Sequence, residues 1–147
     1  MTTRTVLGLD ISSTNIGWCL LKGNKKLDDG TIRKKKGEEL TRFLMRAADL
    51  LNGEIHEVGS LQAIAYEVNH SPTPACRRKA MTMVWRAIGG LLALMGSPDL
   101  EIPIHANNKK KEQRRHDLTL IYGEMGSEHV VDAVSVAHQA LAKMVGL

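Results

Sequence analysis

Apolar positions along this chain change their period several times, and each change marks an element. Thr5-Val-Leu-Gly-Leu-Asp10 is a short β-type run that ends in a carboxylate, and Asn15-Ile-Gly-Trp-Cys-Leu-Leu21 is a second. Turn signals at Gly23-Asn24 and Asp28-Asp29-Gly30 divide the first third into a meander of about three strands. Leu40, Phe43, Leu44, Ala47, Leu50 and Leu51 then recur at helical spacing. Leu61-Gln-Ala-Ile-Ala-Tyr-Glu67 reads as a mostly apolar strand, again closing on a carboxylate.

Ser71-Pro-Thr-Pro74 has the form of a helix start, with Thr73 as N-cap and Pro74 at the first helical position. The helix that follows, over 75–95, carries Met81, Val84, Trp85, Ile88, Leu91, Leu92 and Met95 on one wide face and Met83, Ala87 and Leu94 on the other. A helix apolar on two sides needs two things to pack against, so the pattern predicts a sheet on one side and a partner subunit on the other. Leu100-Glu-Ile-Pro-Ile-His105 reads as a short edge strand because Pro103 cannot donate to a ladder. A polar helix over 109–122 precedes a last helix from Ser127, whose stripe Val130, Val134, Ala137, Leu141 and Met144 faces a core. The order βββαβαβαα predicts an α/β fold, a mixed sheet with helices on its faces. With no repeat and no Pro/Ser/Gly-rich linker, residues 1–147 read as one domain.

Composition narrows this picture. At 147 residues and 43% hydrophobic content the chain can bury a real core, but only five residues are aromatic, so Leu, Ile, Val, Ala and Met must build it. The longest nearly apolar run, 87–96, is about half of what a membrane span needs. The first residues lack the apolar stretch of a signal peptide, and the expectation is a cytoplasmic protein with no membrane partner. Cys19 and Cys76 stand far apart with no CxxC and no Cys/His ladder, which argues against a disulfide scaffold and a structural zinc site.

The chemistry lies in acids at strand ends, where open α/β sheets place their sites. Asp10 and Glu67 each close a strand, and Glu128, His129, Asp132 and Ser135 share one face of the last helix beside its apolar stripe. Each has a bland alternative: Asp10 could start a turn, and Asp132 and His129 could be solvated helix residues. Taken together, carboxylates and an imidazole from two strands and a helix form a ligand set for hard divalent cations, Mg²⁺ or Mn²⁺. Such ions serve phosphodiester hydrolysis.

Val6-Leu-Gly-Leu-Asp10-Ile-Ser-Ser-Thr-Asn-Ile-Gly17-Trp18 resembles the first motif of the RuvC family of Holliday-junction resolvases, members of the RNase H-like nucleases. Ile64-Ala-Tyr-Glu67 is similar to the second motif, and Glu128-His129-Val-Val-Asp132-Ala133-Val-Ser-Val-Ala137 resembles the last. The motifs stand in the family's order, and the elements between them match across nearly the whole chain. The resemblance implies an RNase H-like sheet of about five strands, the first three antiparallel, and a homodimer meeting through helix 75–95. It implies nicking of branched DNA, four-way junctions above all, with two Mg²⁺ per subunit and Mn²⁺ able to substitute. Asp10, Glu67, His129 and Asp132 match the ligand positions, with Glu128 a competing ligand to His129. Lys109, Lys110 and Lys111 fall where the family carries basic residues that touch the scissile strand, and His70 falls where cellular members carry a base-stacking aromatic. Ser12 replaces the family's usual glycine, and the short stretch before the last helix is more like the phage-encoded branch.

Charge sorts in the same direction. The chain carries 20 Lys+Arg against 16 Asp+Glu, a formal +4, and fifteen of the basic residues lie in three blocks. These are Lys22, Lys25, Lys26, Arg33, Lys34, Lys35 and Lys36; Arg77, Arg78 and Lys79; and Lys109, Lys110, Lys111, Arg114 and Arg115. The ordinary reading of such blocks is a solvated face; beside a carboxylate cluster they suit a DNA backbone instead, with salt-sensitive binding. Three other readings stay open from residues alone. Asp10-Ile-Ser-Ser-Thr14 also resembles the phosphate loop of the actin and sugar-kinase type, although those enzymes need two such domains. The others are a catalytically idle junction-binding module and a related nuclease acting on forks or flaps.

Overall fold

The structure, a computed structural model, describes residues 3–68, 75–95, 101–105 and 111–145; among these the side chains of 68, 75–82, 105, 111 and 145 are outside the description. The elements run β1 (Thr5–Ile11), β2 (Asn15–Lys22), β3 (Lys25–Arg33), α1 (Leu40–Val58), β4 (Ala63–Val68), α2 (Ala75–Met95), β5 (Glu101–His105), α3 (Lys111–Tyr122) and α4 (Glu128–Val145). This is the order expected from the apolar pattern. The Thr73 and Pro74 start assigned to α2 lies outside the described residues.

Five strands form one sheet in the order β3-β2-β1-β4-β5. β1 pairs with β2, and β2 with β3, antiparallel; β1 pairs with β4, and β4 with β5, in parallel. The sheet is thus the mixed one predicted, with β5 at an edge and Pro103 opposite Tyr66. Asp28-Asp29-Gly30 is not a turn but part of β3, opposite a register shift between Leu20 and Leu21. The Trp18 ring lies against Gly30, where any side chain would collide with the indole, and Asp29 pairs with Lys26. Edge position lets Asp28 and Asp29 stay in the ladder, Asp28 exposed and Asp29 partly buried against Lys26.

Alternation along β1 splits its side chains between two cores. Leu7, Leu9 and Ile11 join Ile16, Trp18, Leu20 and Ile64 under α1 and α2, where Phe43, Leu51 and Leu91 are fully buried. Val6 joins Cys19, Leu21, Ala63 and Ala65 under α4, whose Val130, Val134, Ala137 and Met144 are buried as the stripe predicts. The outcome is a helix–sheet–helix sandwich. α2 departs from the expected faces: Ala87 is buried with Ile88, Leu91 and Leu92, while Trp85 is exposed with Met83 and Leu94. Packing against α1, with Gly90 touching Leu44, rotates the helix so that the small Ala87 faces in and the indole faces out.

Candidate functional site

Asp10 lies one residue short of the end of β1, across from Gly17 of β2. Leu9 pairs with Tyr66, so Asp10 and Glu67 are the next residues along two adjacent parallel strands. By alternation both fall on the α4 face, with Val6 and Gly8 on β1 and with Ala63 and Ala65 on β4. Turn chemistry after β1 belongs to Ser12, not to Asp10. The Ser12 hydroxyl accepts from the amides of Thr14 (3.2 Å) and Asn15 (2.9 Å) and donates to the Asn15 carbonyl (3.0 Å), and the Ser12 amide closes on that same carbonyl. Serine therefore does locally what the tight β1–β2 connection requires and leaves Asp10 within the strand.

Two glycines bring α4 down onto this surface. A Cβ on Gly17 would overlap the His129 carbonyl, and one on Gly8 would overlap the Ala133 carbonyl and the Ala137 methyl. These glycines serve close approach, and their motif contains them without saying why. The start of α4 is also held. The Ser127 hydroxyl accepts from the Val130 amide (3.3 Å) as an N-cap and meets the Thr31 hydroxyl of β3 at 2.8 Å. Lys26 donates to the Glu124 carbonyl at 2.9 Å, and Arg115 of α3 donates to the Met125 carbonyl at 3.1 Å. The loop before α4 is thus clamped by the sheet on one side and by α3 on the other.

With that helix start fixed, His129 Nδ1 sits 3.2 Å from Asp10 Oδ2. Glu128 points elsewhere, its Oε1 2.9 Å from Arg115 Nη2. Of the two alternatives at this position, the imidazole is the one set against Asp10. Asp132, one helical turn on, lies 3.5 Å from Arg114 Nη2, both side chains being largely buried at 18% and 12% exposure. His129 and Asp10 therefore meet at the carboxyl end of β1, with Glu67 the next residue on the neighbouring strand and Asp132 one turn further along α4. Oxygen donors with one imidazole fit a hard divalent cation by their chemistry. Among the described residues, however, no three His, Cys, Asp or Glu side chains converge closely enough to hold one ion as they stand.

The basic blocks are distributed unequally. Lys34, Lys35 and Lys36 leave β3 at the same end of the sheet as Asp10, where the Lys34 amide bonds the Thr14 carbonyl at 2.8 Å, and Lys35 and Lys36 are exposed. Arg77, Arg78 and Lys79 fall in the first turns of α2, which follows the carboxyl end of β4, and Lys111 begins α3; their side chains lie outside the description. His70, Lys109 and Lys110 lie outside the described residues altogether. Arg114 and Arg115 were expected on a DNA-facing surface. In the structure the Arg114 guanidinium faces Asp132, and the partly exposed Arg115 bonds Glu128 and the Met125 carbonyl. The spacing of a helix cannot tell a surface arginine from one that the neighbouring helix captures. Cys19 is buried under α4, and burial pushes its thiol well above the ordinary cysteine range, as suits an inert core group.

Comparison with solved structures places the fold. The chain is similar to Thermus thermophilus RuvC in complex with a Holliday junction substrate, at TM-score 0.77 and 19% identity, covering 97% of this chain and 96% of that one. It is similar to a second Thermus thermophilus RuvC structure at TM-score 0.75 and 18% identity, with 97% of each chain covered. The yeast mitochondrial Holliday junction resolvase Ydc2 matches at TM-score 0.58 and 16% identity, over 97% of this chain and 83% of that one. No protein-family profile matches the chain, and no curated sequence does. The fold is RuvC-like.

Proposed function

We propose that this protein is a metal-dependent, structure-selective endonuclease that resolves four-way DNA junctions as a homodimer. One observation carries the reading: in a RuvC-like fold, His129 of α4 rests against Asp10, and Glu67 follows in register on the adjacent strand. The residues that would hold the cofactor are Asp10, Glu67, His129 and Asp132, with two Mg²⁺ per protomer and Mn²⁺ as a substitute. Divalent ions there supply a more acidic bound water and neutralise charge on the phosphate under attack. Asp10, next to Glu67 on the adjacent strand and against His129 of α4, would be the central member of this ligand set. His129 enters the ligand set as the neutral imidazole, and its ring is aimed by Asp10.

The exposed Lys35 and Lys36, and the basic starts of α2 and α3, follow strand ends at this side of the sheet and suit a phosphate backbone. Few aromatic residues are available to stack on bases, so recognition rests on backbone charge and junction shape. The dimer would form through α2, whose Met83, Trp85 and Leu94 are exposed apolar groups; a two-fold junction suits a two-fold protein. Among the described residues no helix is long and apolar enough to cross a membrane.

The test is a cleavage panel of four-way, three-way, flap, duplex and RNA–DNA substrates with Mg²⁺, run beside a solution mass. The expected result is paired nicks in the four-way junction by a species of twice the chain mass. Preferential cutting of flaps or forks would replace this substrate assignment with a related nuclease, and junction binding without cleavage would replace it with an idle binding module.

A further inference from the structure

Arg33-Lys34-Lys35-Lys36 carries positive charge at every position, and like charges so close repel one another. Such a run is ordinarily a solvated, loosely held surface. Here the backbone is held at both ends. The Lys34 amide donates to the Thr14 carbonyl of the β1–β2 connection at 2.8 Å. The Lys35 amide donates to Glu38 Oε1 at 2.9 Å and the Glu38 amide to the Lys35 carbonyl at 3.0 Å, closing a turn through Gly37, whose φ of 80° favours glycine. Arg46, in the second turn of α1, donates from Nε to Glu38 Oε2 at 3.0 Å, and from Nη2 to Glu38 Oε1 at 2.9 Å and to the Arg33 carbonyl at 2.6 Å. A two-pronged pair of this kind is among the stronger hydrogen-bonded contacts, and the Glu38 side chain is only 12% exposed. Both oxygens of the loop's one acid are thus committed to backbone and guanidinium, while Lys35 and Lys36 stay exposed.

We infer that Glu38 and Arg46 form a clip that presets Lys35 and Lys36 for contact with the backbone phosphates of a DNA arm at the Asp10 end of the sheet. The lysines would meet phosphate; Glu38 and Arg46 are positioning residues that act through the loop. The inference rests on the nucleic-acid part of the proposed function and needs neither metal nor cleavage. Its physical basis is order. A loose loop gives up backbone freedom when it binds, whereas a preset one has given it up on folding. Solubility requires charge but no fixed position, so the clip has no purpose in a merely solvated patch. Residues 33–38 carry no apolar side chain, and a row of point charges without apolar anchors suits a regular polyanion better than a folded protein partner. The clip is closed at working pH, because hydrogen bonds from Arg46 first and from the Lys35 amide second hold the Glu38 carboxyl at about 2.

The test measures binding of a synthetic four-way junction in chelator, by fluorescence anisotropy across a range of NaCl, for the full-length protein and for variants whose folding is checked by a melting curve. Lys35→Gln combined with Lys36→Gln should lower the slope of log affinity against log salt by about two, one for each lost phosphate contact. Glu38→Ala removes an acid, so charge alone predicts tighter binding. The clip predicts the opposite, binding about tenfold weaker because roughly one residue's backbone must now be ordered on binding, with the salt slope unchanged. Arg46→Lys keeps the charge but cannot make the fork; it is expected to weaken binding in the same way and serves if Glu38→Ala does not fold. If the double lysine variant keeps the full slope, the loop does not meet phosphate and the inference falls. If that slope drops while Glu38→Ala and Arg46→Lys bind as tightly as the unaltered protein or more tightly, the lysines bind DNA without a clip and the inference also falls. No junction binding by the unaltered protein would remove the nucleic-acid reading and this inference together. The expected variant pattern in a protein that never cleaves with Mg²⁺ would remove the nuclease reading and leave this inference standing.

Discussion

On its α1/α2 face the sheet presents Leu7, Leu9, Ile11, Ile16, Trp18 and Leu20, all buried, against Phe43, Leu51 and Leu91. On its α4 face it presents Val6, Gly8, Gly17, Cys19, Ala63 and Ala65 against a helix that is itself lined with Ala133, Ala137 and Ala140. The first face buries bulk, and its energy comes from apolar area removed from water. The second also buries bulk at Leu21, Ile104 and Met144, but where α4 crosses Gly8 and Gly17 what it gains is distance: backbone against backbone, so that His129 comes down on the strand end that carries Asp10. Stability and placement are thus assigned largely to opposite sides of one sheet. A protein divided in this way can lose function on one side with little loss of stability, and stability on the other with little change in chemistry.

The sharpest contrast is expected at the strand end. Glu67→Gln should reduce metal-dependent cleavage by ~10²–10³-fold, the scale of removing one charge-stabilising group from a reacting site. Its thermal midpoint should stay near that of the unaltered protein, as a melting curve beside a rate measurement would show. Phe43→Ala on the opposite face should reverse the pattern, costing about 3–5 kcal/mol of folding stability by denaturant titration. Cleavage per folded molecule should be unchanged. Gly17→Ala is the case that could break the division. A methyl overlapping the His129 carbonyl should cost ~1–3 kcal/mol as overpacking, less than Phe43→Ala, yet should depress cleavage more because α4 must lift. If activity in Gly17→Ala falls only in proportion to the unfolded fraction, close approach of α4 is not what builds the site.

The smallest effect belongs to a clip outside both faces. Hydrogen bonds first from the Arg46 guanidinium and then from the Lys35 amide bring the Glu38 carboxyl from its ordinary 4.5 down to about 2. Because the folded value is the lower one, this contribution is present above the ordinary value and is lost as pH falls from there through about 2. Glu38→Gln should therefore lower the thermal midpoint slightly at neutral pH, with the gap to the unaltered protein closing toward pH 2.

Much of this division was written in local pattern. Two apolar runs closing on Asp10 and Glu67, and a helix stripe at Val130, Val134, Ala137 and Met144, place acids and helix at one end of a mixed sheet before any contact is known. Ser127 could be read as a helix start because an N-cap acts on amides within its own turn. What escaped the pattern depends on neighbours distant in sequence. Asp28-Asp29-Gly30 has turn composition, but pairing with β2 and the Trp18 ring over Gly30 make it strand. Trp85 fits an inward helix face by spacing, but packing against α1 turns Ala87 inward in its place. Gly8 and Gly17 stand in a recognisable motif, yet their purpose appears only when α4 is laid across them. Arg114, placed by composition among basic residues facing DNA, is captured by Asp132 of the adjoining helix, and no spacing within α3 reports a partner on α4.

The central proposal is that this protein is a metal-dependent nuclease of branched DNA, with Asp10, which His129 of α4 meets at the end of β1, among the residues that would hold the ions. The most direct measurement is cleavage of a synthetic four-way junction by the unaltered protein and by Asp10→Asn, each with Mg²⁺ and with chelator, alongside junction binding. The account predicts nicking only by the unaltered protein with Mg²⁺, and binding by both. Full cleavage by Asp10→Asn, or cleavage that persists in chelator, would contradict it.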